Sequence, residues 1–228
     1  THTLRTTASE SAAFKILPNL VMITPNGSEI NASALKAGEL VDIQWKSIGT
    51  IAKPANVDIQ YSVNGTFSDA VTIQNGVTFN GSAYNSTWGT CVLPSVSGAE
   101  TAGCFRWKIH AGSIGTTLKI RVKDSDGAHP DSTLISTNGV SSTFHVVRNL
   151  IVLQPNGSEQ LTVGGSYDLK WEAYGSFTAN KIDLHYSADE FVAEALAILT
   201  NGNNDVNGTA CTLPTVTQGG AGGCYRWT

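Results

Sequence analysis

Residues Asn19-Leu-Val-Met-Ile-Thr-Pro-Asn-Gly-Ser-Glu29 return 130 positions later as Asn149-Leu-Ile-Val-Leu-Gln-Pro-Asn-Gly-Ser-Glu159. The match continues down the chain. Val41-Asp-Ile-Gln-Trp45 answers to Tyr167-Asp-Leu-Lys-Trp171, and Val57-Asp-Ile-Gln-Tyr61 to Ile182-Asp-Leu-His-Tyr186. Cys91-Val-Leu-Pro94 and Cys104-Phe-Arg-Trp107 answer to Cys211-Thr-Leu-Pro214 and Cys224-Tyr-Arg-Trp227; the offset there has fallen to 120, because about ten loop residues are missing from the second copy. A chain that repeats on this scale folds as successive copies of one unit. A partial third match precedes both: Ser11-Ala-Ala-Phe14-Lys-Ile-Leu17 leads into the first Pro-Asn-Gly as Ser141-Ser-Thr-Phe144-His-Val-Val147 leads into the second. The division that follows has three parts. Residues 1–17 read as the terminal strand of a preceding repeat, 18–147 as a complete repeat, and 148–228 as a repeat lacking the counterpart of Ile109 to Val147.

Inside each copy the apolar residues alternate. Val41-Asp-Ile-Gln-Trp-Lys46 puts its apolar side chains on one face, as do Val57 to Tyr61, Phe105 to Ile109 and Leu118 to Val122. Strands with one wet face belong to antiparallel sheets. Asn-Gly or Asp-Gly steps begin at Asn64, Asn75, Asn80, Asp126, Asn138, Asn201 and Asn207 and predict turns. One segment argues for a helix: Ser187-Ala-Asp-Glu190 is a capping-box pattern before Phe191 to Leu199. Its repeat partner, with Val71-Thr-Ile-Gln between turn residues, reads as a strand, so a turn at 189–193 and a strand at 195–199 are expected. About seven short strands per copy, with inward Trp45, Trp107, Trp171 and Trp227, predict an all-β fold of tandem immunoglobulin-like antiparallel β-sandwiches.

Composition places the chain. Charged residues are 14% of 228, whereas 21 Ser, 25 Thr, 16 Asn and 23 Gly supply polarity through hydroxyls, amides and bare backbone. That balance suits strands and turns rather than surface helices. A formal charge of −4 without a basic run excludes phosphate-backbone binding as the main activity. The longest apolar-rich stretch, Phe191 to Leu199, is too short to span a bilayer and carries Glu194. The chain begins at Thr1 without a basic-then-apolar leader and reads as a mature or excised piece. Cys91/Cys104 and Cys211/Cys224 are each thirteen apart, a spacing that suits local disulfides better than zinc. Disulfides persist in oxidising compartments, so an extracellular or cell-surface setting is expected.

The ordered series of Pro-Asn-Gly-Ser-Glu, Gly, Ile-x-Trp, apolar-x-Tyr-Ser, Leu-Pro, Arg-Trp and Ser-x-Phe-x-Val resembles tandem Ig-like repeats of large secreted or cell-surface proteins of bacteria and archaea. The resemblance covers 18–147 fully and 148–228 as far as they go. It implies stalk, sheath, filament or adhesin architecture. The cysteine pair around Leu93-Pro94 is an addition to the usual pattern.

Candidate sites are few. Seven Asn-x-Ser/Thr sequons, at Asn26, Asn31, Asn64, Asn80, Asn85, Asn156 and Asn207, lie in or beside expected turns and are candidate glycosylation acceptors; the same residues are also plain turn chemistry. Asp124-Ser-Asp126-Gly, with Asp131 beyond, has the core of a calcium loop, although a polar hairpin turn explains it as well. Tyr84 and Trp88 sit in a loop longer than its second-copy counterpart and could stack on a sugar, or pin that loop to the core. Catalysis finds no support: His2, His110, His129, His145 and His185 do not recur between copies, and no nucleophile, phosphate-loop or zinc motif is present.

The expected function is therefore structural and non-catalytic. It needs no cofactor, calcium at the Asp124 loop being the one candidate, and its partners are neighbouring repeats, identical subunits or glycans. An adhesin or carbohydrate-binding array is the second reading, and a spacer module of a large secreted enzyme the third. The open second repeat has two readings. Either the chain is a segment of a longer array, or Phe14 and Ile16 of one subunit act as a donor strand for the next.

Overall fold

The computed structural model describes residues 19–48, 56–78, 81–85, 87–98, 100–125, 139–157, 159–176, 181–192, 196–203 and 211–228. The fold is all-β in several sheets, with two disulfides. Residues 19–147 build two five-stranded sheets. The first runs in the order β1 (Asn19–Thr24), β3 (Leu40–Ile48), β8 (Glu100–Lys108), β6 (Gly81–Asn85), β7 (Gly89–Thr90). The second runs β2 (Leu35–Lys36), β10 (Phe144–Val147), β9 (Gly115–Asp124), β4 (Asn56–Ser62), β5 (Val71–Thr78). Alternation decides which side chains turn inward: Ile43, Trp45, Phe105 and Trp107 from one sheet meet Ile59, Tyr61, Leu118, Ile120 and Phe144 from the other in a single buried cluster. Drawing one core from two sheets is the arrangement of a β-sandwich.

Residues 149–227 begin the same plan. A three-stranded sheet orders β11 (Asn149–Gln154), β12 (Tyr167–Tyr174), β15 (Ala221–Trp227), and β13 (Lys181–Tyr186) pairs with β14 (Leu196–Asn203). Local geometry repeats in detail. The registers of β1 on β3 and of β11 on β12 shift at equivalent points, Met22/Thr24 and Val152/Gln154. The Thr24–Pro25 and Gln154–Pro155 bonds that follow are both cis. The motif then closes a turn: the Glu29 carboxylate accepts from the N–H groups of Asn26 and Gly27, and Glu159 does the same for Asn156 and Gly157. Arg106 lies opposite Asp42 across β3 and β8 and bonds it at 2.7 and 3.0 Å; Arg226 bonds Asp168 at 2.6 Å across β12 and β15.

Five expectations are corrected. The pairing is antiparallel except that β10 on β2 and β6 on β8 run parallel, and among the described residues the first copy has ten strands rather than about seven because β2, β6 and β7 add to the count. The stretch around Tyr84 is a strand rather than a loop. Gly81, Ser82 and Ala83 lie beside Gly103, Cys104 and Phe105, and small residues let the passing chain pair with the open edge of β8. Asn75-Gly76 and Asn201-Gly202 fall inside β5 and β14, not at turns. Gly76, at φ 63°, sits where the β4–β5 register shifts, and its N–H goes to the Asp58 carboxylate, so the step makes a bulge. Trp227 is half-buried, unlike Trp45, Trp107 and Trp171.

The helical pattern at 187–199 yields to the repeat, as expected. Ser187 Oγ accepts from the N–H groups of Asp189 and Phe191, Glu190 and Phe191 take positive φ, and the chain then enters β14. What separates the copies is coverage. Leu20 is 7% exposed and its counterpart Leu150 44%; Tyr61 is 5% exposed and Tyr186 41%. In the first copy β9 pairs along β4 and β10 along β9, closing the second sheet over the core. Among the described residues β13 pairs only with β14.

Candidate functional site

The densest non-repeating chemistry lies where the two copies meet. Tyr174 ends β12, is fully buried, and belongs to the first copy's core cluster. Two glycines make room for its ring. A Cβ on Gly38 would lie 2.2 Å from ring carbon Cε2, and one on Gly220 would lie 2.7 Å from ring carbon Cε1. The Tyr174 hydroxyl donates to Glu172 Oε2 at 2.9 Å, and Lys108 Nζ stands 3.7 Å from that same oxygen. Lys108 also sits over two rings, 5.6 Å from the centroid of Tyr174 and 5.5 Å from that of Trp88. Burial, then the Glu172 carboxylate, pushes the Tyr174 phenol well above its ordinary range, so it remains a donor.

Backbone and apolar contacts complete the joint. The Ala111 N–H donates to the Gln218 carbonyl at 2.8 Å. Arg148, between β10 and β11, donates from Nη1 to the Ser176 carbonyl. Ile114 and Ala111 of the first copy, with Ile151 and Val216 of the second, pack against the shared cluster. A single residue links β10 to β11, and the structure adds a packed seam. Tyr174, Glu172 and Gln218 are the seam residues that the reading of motifs missed. A signal for them exists: at positions where the copies otherwise align, they replace Ile48, Lys46 and Gly98.

Beside the joint, a cleft of about 720 Å³ opens between β5 and the β7–β8 edge. Its floor holds Tyr61, Phe105 and Trp107, the first and last stacked at 5.8 Å between ring centroids. Trp88 and His110 stand on its rim with Thr217 and Gln218 from the second copy. The His110 Nδ1 accepts from the Gly112 N–H at 2.8 Å, which leaves Nε2 to carry the proton of the neutral ring.

The other candidates are more scattered. Asn26, Asn31, Asn64 and Asn156 are exposed, three of them in turns and Asn31 at a positive φ of 52°. Asn64 Oδ1 accepts from both the N–H and the hydroxyl of Thr66, its sequon partner. Asn80 and Asn207 lie outside the described residues, as does the side chain of Asn85. Trp88 is half-buried at the cleft, whereas Tyr84 is placed by its backbone in β6 and its side chain lies outside the described residues. Of the calcium candidates, Asp124 closes β9, but its side chain and the residues Asp126 and Asp131 lie outside, as do Phe14 and Ile16 of the donor-strand reading.

Cys91 is bonded to Cys104 and Cys211 to Cys224, each pair with Cα atoms 6.0 Å apart. The Asp168 carboxylate lies near Cys211 and Cys224. Those sulfurs are bonded to each other and the carboxylate to Arg226, so the group presents no thiolate to a metal. No helix among the described residues is long and apolar enough to cross a membrane. No protein-family model matches the sequence, and no curated protein matches it.

Proposed function

We propose that the chain is a stretch of a structural, non-catalytic, extracellular array of Ig-like β-sandwiches that serves as a stalk, sheath or filament at a cell surface. The observation that carries this reading is the joint. A buried tyrosine of one copy completes the core of the other, and an ion pair and a backbone hydrogen bond cross the same seam. Direct packing of successive units turns a string into a rod, because bending must open apolar surface at about 25 cal/mol per Å². The repeat boundaries at 17/18 and 147/148, the two intra-copy disulfides and the exposed sequons support the same setting.

Immunoelectron microscopy of source cells, with antibody raised against this chain, tests the reading. Label should decorate surface fibres, a sheath or a coat. Label confined to the cell interior would sink it. Mass spectrometry of the native protein should find both cystines and glycan on at least one of the exposed sequons Asn26, Asn31, Asn64 or Asn156.

A further inference from the structure

We infer that the cleft beside the joint is a binding site for a neutral oligosaccharide, completed only when the two copies are packed together. The first observation is what lines it. None of its described lining residues is Asp, Glu, Lys or Arg. Lys108, whose ammonium stands over the Trp88 ring, is committed to Glu172 and to the ring faces of Trp88 and Tyr174. An uncharged cleft selects an uncharged ligand, because a carboxylate, sulfate or ammonium entering it would lose hydration without gaining a partner.

The second observation is the mixture of surfaces. The half-buried Trp88 ring, beside a floor of Tyr61, Phe105 and Trp107 that is 4–5% exposed, is bordered by the amide of Gln74, the hydroxyls of Thr72 and Thr217, and His110. A pyranose ring has the matching duality: a C–H face that packs on an aromatic ring, and an edge of hydroxyls that need donors and acceptors. The cleft volume falls within the range of small-ligand sites, and a junction between units is where such sites commonly form.

The third observation is Gln218. It takes φ 59°, in the left-handed region, where the first copy has Gly98 at φ 62°. A side chain other than glycine in that region is strained, and such strain clusters at ligand-holding positions. The surroundings hold Gln218 there: its carbonyl accepts the Ala111 N–H across the seam, and the residue lines the cleft. The second copy thus carries a functional side chain at a backbone site for which glycine is the relaxed choice.

This inference does not rest on the array reading, since a chain that binds no sugar can still be a rod. Screening the intact chain on an array of neutral oligosaccharides (glucan, mannan and galactan fragments), with sialylated, sulfated and uronic-acid glycans alongside, is the first step. Isothermal titration of the best hit then compares the wild type with Trp88→Ala and Gln218→Gly. At least one neutral glycan should bind, and Trp88→Ala should weaken it tenfold or more. Gln218→Gly should weaken it about tenfold, the size of one lost hydrogen bond to ligand, while the melting temperature stays level or rises because backbone strain is relieved. That pairing separates a lost contact from a damaged fold. The inference is overturned if no neutral glycan binds, if only acidic glycans bind, or if binding survives Gln218→Gly unchanged.

Discussion

Gly38 and Gly164 occupy the same position in the two copies, at φ 84° and 79°. Their surroundings differ. A Cβ at Gly38 meets the Tyr174 ring, whereas one at Gly164 meets nothing within 4 Å. Gly164→Ala should therefore lose roughly 1 kcal/mol of stability, from backbone strain alone. Gly38→Ala should lose roughly 2–4 kcal/mol, since overpacking adds to that strain. Urea denaturation of both variants checks the difference; equal losses would mean that Tyr174 does not bear on Gly38. The same comparison shows what a sequence can disclose at this scale. The glycine was visible twice, but only a fold brings Tyr174, 136 positions away, onto one of them.

Strands were legible wherever alternation and repeat agreed. Val41 to Lys46 and Leu118 to Val122 lie inside β3 and β9, and the repeat overruled the capping box at Ser187. Legibility ended where pairing partners are distant. Nothing local in Gly81-Ser-Ala-Tyr-Asn85 announces a strand; it exists because the β8 edge is there to receive it. An Asn-Gly step reads the same whether it ends a strand or bulges one, and only the Asp58 carboxylate waiting for the Gly76 N–H distinguishes them. The candidate cleft was half legible: Trp88 stood out as an aromatic outside the repeat pattern, while Gln218 did not.

Cross-strand pairs also set how the elements respond to acid. Burial favours protonation of Asp42, but hydrogen bonds from Arg106 and the Val92 N–H, with the Arg106 charge, hold its carboxyl below the usual aspartate range. The Arg226 guanidinium holds Asp168 down in the same way. Carboxyls depressed in the folded state stabilise it above the unfolded value, about 3.9, and that contribution disappears as pH falls through the folded value. The denaturation midpoint should stay level from about pH 8 to about pH 5 and then fall steadily toward about pH 2. Asp42→Asn should flatten part of that fall. A midpoint that rises on acidification contradicts the assignment.

At the scale of the molecule the two copies differ in what holds them. The first has a core drawn from two five-stranded sheets; among the described residues the second has a cluster of Trp171, Ala173 and Ile182 with Leu184 and Tyr225 against it. Each bridge closes a short loop worth about 3 kcal/mol in the chain-entropy model, a larger share of stability where the core is small. Hydrogen exchange under reducing conditions should therefore show β12 and β15 losing protection before β3 and β8. Simultaneous loss would argue that the seam makes one cooperative body of both. Distances between spin labels placed on β5 and β14 should form a narrow distribution, broadened at least twofold by Tyr174→Ala.

The substitutions at the seam carry a consequence for assembly. Glu172 stands where the first copy has Lys46, and Tyr174 where it has Ile48. Lys108, the partner of Glu172, has Thr228 as its own counterpart. Repeats with interchangeable ends could be shuffled, slipped or joined out of turn. These ends differ in charge and bulk, so this joint is selective: the Glu172 and Tyr174 end of the second copy fits Lys108 and Gly38 of the first, and the first copy's own Lys46 and Ile48 would not supply that pairing.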